Sequence, residues 1–189
     1  MLQRVLTFSH TLLKQSVEIG DYVIDATAGN GHDTVMLAKL VGEAGHVLSF
    51  DVQKQAIVKT TELLNKESIH HVTVIQDSHQ NLENYFTEEM KGNIGGAIFN
   101  LGYLPGGNHT ITTKPDSTIQ AIESILPHLK PGKLLVLVVY YGHEGGKVEK
   151  DQILAFLHQL NQQQYNVLQY QFINQKNDPP FLLAIEKRR

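Results

Sequence analysis

The 189-residue chain contains no cysteine. Disulfides, thiolate nucleophiles and cysteine-bound zinc or iron–sulfur centres are therefore excluded. No apolar run is long enough to cross a bilayer as a helix; the best candidate, residues 134–141, fits a buried strand. The opening MLQRVLTFSH offers neither a long apolar segment nor a small-residue cleavage site, so a cytoplasmic protein is expected. Repeats and linkers are missing too. One domain over 1–189 is expected, with an amphipathic helix over 2–17 packed on it. Charge of either sign is not in large excess: 16 Lys and Arg against 19 Asp and Glu give −3. That argues against diffuse coating of nucleic acid and leaves room for a local basic site.

Several familiar site patterns are incomplete. Residues 21–33, DYVIDATAGNGHD, read as a short strand ending at Asp25, a turn through 28–31 and a helix starting near His32 or Asp33. Gly29 and Gly31 let such a turn approach a ligand, and the new helix offers unpaired N–H groups. The third glycine of the dinucleotide pattern is replaced by Thr34. No Lys-Ser or Lys-Thr pair follows for a phosphate loop. Asp25 at the strand end suits a ligand's ammonium better than a pyrophosphate. The ten histidines include no His-Glu-x-x-His pattern, and adjacent His70 and His71 should diverge; no required metal is expected.

What is present is a regular alternation. Strands are expected at 22–25, 46–51, 71–75, 94–100 and 134–141. Helices are expected at about 32–40, 53–65, 82–86, from 117 to 129, and 148–160, with a turn at Pro131-Gly132. Segments 165–174 and 181–186 read as an antiparallel pair at one edge. This is an α/β pattern: a Rossmann-like, mostly parallel, doubly wound sheet with an antiparallel C-terminal edge. Asp25, Asp51 and Asp77 each close or follow one of the first three strands. Asp51 stands 20 residues beyond Gly31, where a carboxylate can accept both hydroxyls of a ribose. His10 and Phe8 directly precede this unit and either face a cofactor or pack.

Residues 23–31, 50–51, 76–78 and 99–100 together resemble the class I S-adenosylmethionine-dependent methyltransferases. The resemblance implies that Gly29 and Gly31 surround the methionyl and ribose portion, Asp51 holds ribose hydroxyls and Asp77 binds adenine. It places Asp25 near the methionine amine, directly or through water. Ala28, Asn30, His32, Asp33, Gln53, Ser78 and His79 complete the expected cofactor-binding set.

Segments 25–33, 100–107 (NLGYLPGG) and 113–118 (TKPDST) are similar to the small bacterial rRNA methylase family, over nearly the whole chain. That resemblance implies a homodimer without an appended RNA-binding domain. It implies methylation of the aminomethyl nitrogen of 5-aminomethyl-2-thiouridine at a tRNA wobble position, with the anticodon stem-loop as partner. Asn100 and Tyr103 are the expected catalytic residues: the Asn100 side-chain carbonyl orients an amine hydrogen, and Tyr103 packs on a base. Leu101 and Gly102 replace both prolines of the Asn/Asp-Pro-Pro-Tyr/Phe motif of many amino-group methyltransferases. Leu101, Gly102, His109, Lys114, Tyr141 and His143 are expected to bind substrate, through backbone acceptors, phosphate contacts and base stacking. Three other readings stay open: rRNA as the substrate, a small metabolite amine, and a sensing or RNA-binding module without catalysis.

Overall fold

The computed structural model describes residues 1–104, 106 and 112–189. Its strands are β1 Tyr22–Asp25, β2 His46–Asp51, β3 Val72–Gln76, β4 Ile94–Leu101, β5 Leu129–Val139, β6 Tyr165–Tyr170 and β7 Phe181–Lys187. Among the described residues five α-helices accompany them: α1 Val5–Ser16, α2 His32–Val41, α3 Lys54–Lys66, α4 Pro115–Ile125 and α5 Gly146–His158. The strands form one sheet in the order β3-β2-β1-β4-β5-β7-β6. The first five run parallel, and β7 lies antiparallel between β5 and the edge strand β6.

Side-chain alternation explains the layers. Ile24, Leu135, Leu137 and Val139 point into one apolar cluster with residues of α4 and α5. Their neighbours Val23, Val136 and Val138 point into the opposite cluster with residues of α1 and α2. Strands buried on both faces read as near-continuous apolar runs, as β4 and β5 do. The parallel crossovers run outward from β1 to β3 and then return to β4. The gap beside the carboxyl ends of β1 and β4 is therefore the topological switch point, where open α/β sheets receive ligands.

Two elements differ from the sequence expectation. Pro131-Gly132 does not precede β5 but lies inside it. Ile94 pairs with Leu129 and Gly96 with Leu134, so the extra residues bulge out of the ladder around Gly132, whose φ is +77°. The short helix expected over 82–86 is a 3-10 turn spanning His79–Tyr85. It starts earlier because Ser78 Oγ accepts the Gln80 amide at 3.3 Å. Among the described residues, no helix is long and apolar enough to cross a membrane.

Candidate active site

A cavity of ≈ 720 Å³ opens at the switch point, lined by the ends of β2 and β4, by the segments that follow β1, β2, β3 and β4, and by the start of α2. That volume lies within the usual range for a small-molecule site. The turn after β1 forms its floor. Gly31 caps α2 with φ +83°, and a Cβ there would sit 2.9 Å from the Thr60 Cα. Only glycine fits.

Asp51 reaches this turn from the end of β2. Its Oδ2 accepts the Gly29 amide at 3.0 Å and its Oδ1 accepts the Gln53 amide at 2.9 Å. Burial raises its carboxyl above the usual range, while the amides of Gln53, Gly29 and Val52 oppose the shift. Each carboxylate oxygen retains acceptor capacity for a ligand hydroxyl.

Asp25 takes a different position from the one expected. It is fully buried and forms no part of the cavity wall. Its oxygens accept Thr34 Oγ1 at 2.6 Å and the Thr27 amide at 3.2 Å. Burial, then the nearby Asp33 charge, pushes its carboxyl up to about 7. Thr34, where the dinucleotide pattern has glycine, shares this network and bonds Ser49 Oγ at 2.8 Å. Asp25 thus secures the turn from behind, and Asp33 is the acid that faces the cavity.

Asp33 joins two elements. Its Oδ1 lies 2.7 Å from His10 Nε2, and its Oδ2 accepts Asn100 Nδ2 at 2.6 Å. The Asn100 backbone N–H donates to Thr27 Oγ1 at 2.7 Å. A carboxylate against the Asn100 carboxamide fixes which end is nitrogen, leaving its carbonyl oxygen as the free acceptor end. Of the two residues preceding the unit, His10 reaches the site only through Asp33 and does not line the cavity; Phe8 packs on Tyr170 with ring centres 4.4 Å apart.

The third wall comes from the segment after β3. Asp77 accepts Ser78 N at 2.7 Å, Asn81 Nδ2 at 2.9 Å and Tyr85 Oη at 2.9 Å. The Asn81 bond first, then those from Tyr85 and Ser78, hold its carboxyl below the usual range. His79 is buried, with Nδ1 3.1 Å from the Ala26 carbonyl oxygen and Nε2 without a partner among the described residues. Burial depresses its pKa to about 4. The ring is therefore neutral at pH 7, with Nδ1 donating and Nε2 a buried acceptor. Ala28, Gly29, Asn30, His32, Gln53 and Ser78, the other residues expected to bind cofactor, also line the cavity.

On the acceptor side, Asn100, Leu101, Gly102, Tyr103 and Lys114 line the cavity. His109 lies outside the described residues. Tyr141 does not reach the cavity. It is buried edge-on against Phe181 at 5.7 Å, with Lys150 Nζ 4.9 Å from its ring centre. Tyr140, one residue earlier, lines the cavity instead. His143 stands behind the wall, edge-on to the Tyr103 ring at 6.0 Å. The helix entry at 114–118 is not capped by Asp116 or Ser117; Ser117 Oγ donates to the Lys114 carbonyl at 2.9 Å.

Leu6 of α1 also lines the cavity. Glu149 had no motif to reveal it. It is buried on α5 and accepts Thr113 Oγ1 at 2.8 Å and Thr118 Oγ1 at 3.2 Å. Thr113 Oγ1 in turn accepts the Gly102 amide at 3.0 Å. Glu149 thereby ties the segment after β4 to α4. Among the described residues, no group of three His, Asp or Glu side chains could hold a metal ion.

A glycine turn at the first strand, an acid at the end of the second and a cavity at the switch point define a class I S-adenosylmethionine-dependent methyltransferase. A Clostridium thermocellum crystal structure described as a "putative rRNA-methylase" is 43% identical and superposes with a TM-score of 0.95, covering 99% of both chains. A Streptococcus mutans methyltransferase, described as putative and in complex with SAH, is 45% identical with a TM-score of 0.89, again covering 99% of both. An Arabidopsis thaliana "tRNA (mnm(5)s(2)U34)-methyltransferase, chloroplastic" is 35% identical over 95% of this chain and 68% of its own length. The family model "Putative rRNA methylase" matches residues 47–186. The chain belongs to this rRNA methylase family, and its cofactor is S-adenosylmethionine.

The cavity residues fit that cofactor. Asp51 offers hydroxyl acceptors, the glycine turn leaves room where side chains would intrude, and His79 Nε2 is a buried acceptor awaiting a donor.

Proposed function

We propose that this methyltransferase, acting as one domain over 1–189, methylates the aminomethyl nitrogen of 5-aminomethyl-2-thiouridine at a tRNA wobble position. The Arabidopsis relative is named for mnm(5)s(2)U34, the 5-methylaminomethyl-2-thiouridine that such a transfer would produce. The observation that carries the reading is the Asn100 carboxamide, whose nitrogen is committed to Asp33 at 2.6 Å. Its oxygen is left to accept an N–H of the acceptor amine, turning the nitrogen lone pair toward the methyl group.

S-adenosylmethionine, when bound, supplies an electrophilic methyl on a sulfonium. The nitrogen must arrive without its extra proton, and much of the acceleration then comes from placement. In this reading Asp51 and the Gly29–Gly31 turn hold the ribose and methionyl portion, and Asp77, Ser78 and His79 hold the adenine end. Asn100 orients the amine. Tyr103 and Tyr140, 41% and 37% exposed, offer ring faces to the uridine. Lys114 meets backbone phosphate of the anticodon stem-loop. A homodimer would add RNA-binding surface.

The test is nucleoside mass analysis of tRNA from cells lacking this protein, before and after incubation with the purified enzyme and S-adenosylmethionine. Conversion of 5-aminomethyl-2-thiouridine to its N-methyl form supports the reading. Methylation of rRNA or of a free amine, with that nucleoside untouched, contradicts it.

A further inference from the structure

We infer that His10 is a positioning residue for the methyl acceptor: it holds Asp33, and Asp33 holds the Asn100 carboxamide with its oxygen toward the acceptor. The inference rests on the proposed role of Asn100 in orienting an amine.

The three side chains come from three separate parts of the fold. His10 sits on α1, Asp33 in the first turn of α2 and Asn100 on β4. His10 Nε2 is 2.7 Å from Asp33 Oδ1, and Asn100 Nδ2 is 2.6 Å from Asp33 Oδ2. A ring nitrogen at that distance from a carboxylate donates its hydrogen. Both carboxylate oxygens are then engaged, one on each side, which fixes the plane of the carboxylate. That plane in turn fixes the carboxamide.

The helix presenting His10 is itself anchored. Val5, Leu13 and Val17 are buried against the sheet, and Tyr170 Oη donates to the Gln3 carbonyl at 2.8 Å. Asp33 is poorly placed to stand alone. Its side chain is 11% exposed, and Asp25 from β1 and Tyr140 from the segment after β5 both lie within reach of its charge. A carboxylate this little exposed and without a partner forgoes hydration that nothing else replaces. Without His10, Asp33 gains by turning toward water. Asn100 would then lose the bond that distinguishes its nitrogen from its oxygen. A carboxamide free to turn presents N–H to the amine in part of the population, where donor meets donor and the lone pair is misdirected.

The test is a double-mutant cycle combined with an observation of Asn100 that needs no turnover. His10→Ala is expected to lower kcat roughly tenfold, with the Kd for S-adenosylmethionine within about twofold. His10→Gln, which keeps a side-chain N–H donor, should recover most of the loss. In an Asn100→Ala background, His10→Ala should cost nothing further. In the free protein, the Asn100 side-chain amide resonances, assigned by their loss in Asn100→Ala, should shift in His10→Ala and return in His10→Gln. Unmoved Asn100 resonances, or a His10→Ala loss of the same factor in both backgrounds, would overturn the inference. Failure of the wild-type enzyme to methylate any amine contradicts the functional reading instead. The resonances still decide the role of His10.

Discussion

Asp51 Oδ2 accepts the Gly29 amide at 3.0 Å, so the end of β2 holds the turn that follows β1. One carboxylate both shapes the cradle and faces the ligand. Asp51→Ala should raise the Kd for S-adenosylmethionine about 10- to 100-fold, the value of one or two hydrogen bonds to a charged group. Calorimetric titration of cofactor into wild type and variant measures it. An unchanged Kd would remove Asp51 from the binding site.

Gly31 supports the same turn through its backbone. With φ +83° and a Cβ position 2.9 Å from the Thr60 Cα, Gly31→Ala combines strain with a clash. A left-handed non-glycine residue alone costs about 1–3 kcal/mol. Thermal unfolding of the variant should fall by several degrees, and cofactor affinity should fall with it.

Adjacent tyrosines should separate packing from binding. Tyr141→Ala removes a ring buried on Phe181 and should cost roughly 3–5 kcal/mol, as large aromatic truncations in cores do. Tyr140→Ala, on the cavity wall, should leave the melting temperature nearly unchanged and raise the KM for tRNA. Melting curves and steady-state kinetics on both variants decide the assignment.

The buried Asp25 should give stability a distinct pH dependence. Its carboxyl is raised from 3.8 to about 7, first by burial and then by the Asp33 charge. Between those values the folded state binds a proton that the unfolded state has released. This contribution to stability is therefore fully present below about 4 and is lost as pH rises through about 7. Asp25→Asn cannot ionise there, so its stability deficit relative to wild type should shrink between pH 5 and pH 8. Denaturant unfolding at the two pH values reads the change. A deficit that stays constant between the two pH values would mean Asp25 is already ionised in the folded protein at pH 5.

The alternation of strands with helices carried the sheet, because buried parallel strands and amphipathic helices leave different periods in the chain. The glycine turn and Asp51 were legible for a similar reason: they stand at strand ends. The placement of Asp25 was not, since its carboxyl is held by Thr34, which Ser49 bonds in turn, and only the packed structure brings these three side chains together. The choice between Tyr140 and Tyr141 turned on one residue just beyond the end of β5, decided by the Phe181 and Lys150 contacts of Tyr141. Glu149 and the Asp33–Asn100 bond join residues far apart in sequence, so only tertiary packing reveals them.

The central claim concerns the atom that receives the methyl group. Transfer from labelled S-adenosylmethionine should be measured on two synthetic anticodon stem-loops, one bearing 5-aminomethyl-2-thiouridine at the wobble position and one bearing 2-thiouridine. The account predicts label on the first alone, with the loss of transfer in Asn100→Ala appearing in kcat and not in cofactor binding. Equal labelling of both stem-loops, or of neither while rRNA is labelled, would contradict it.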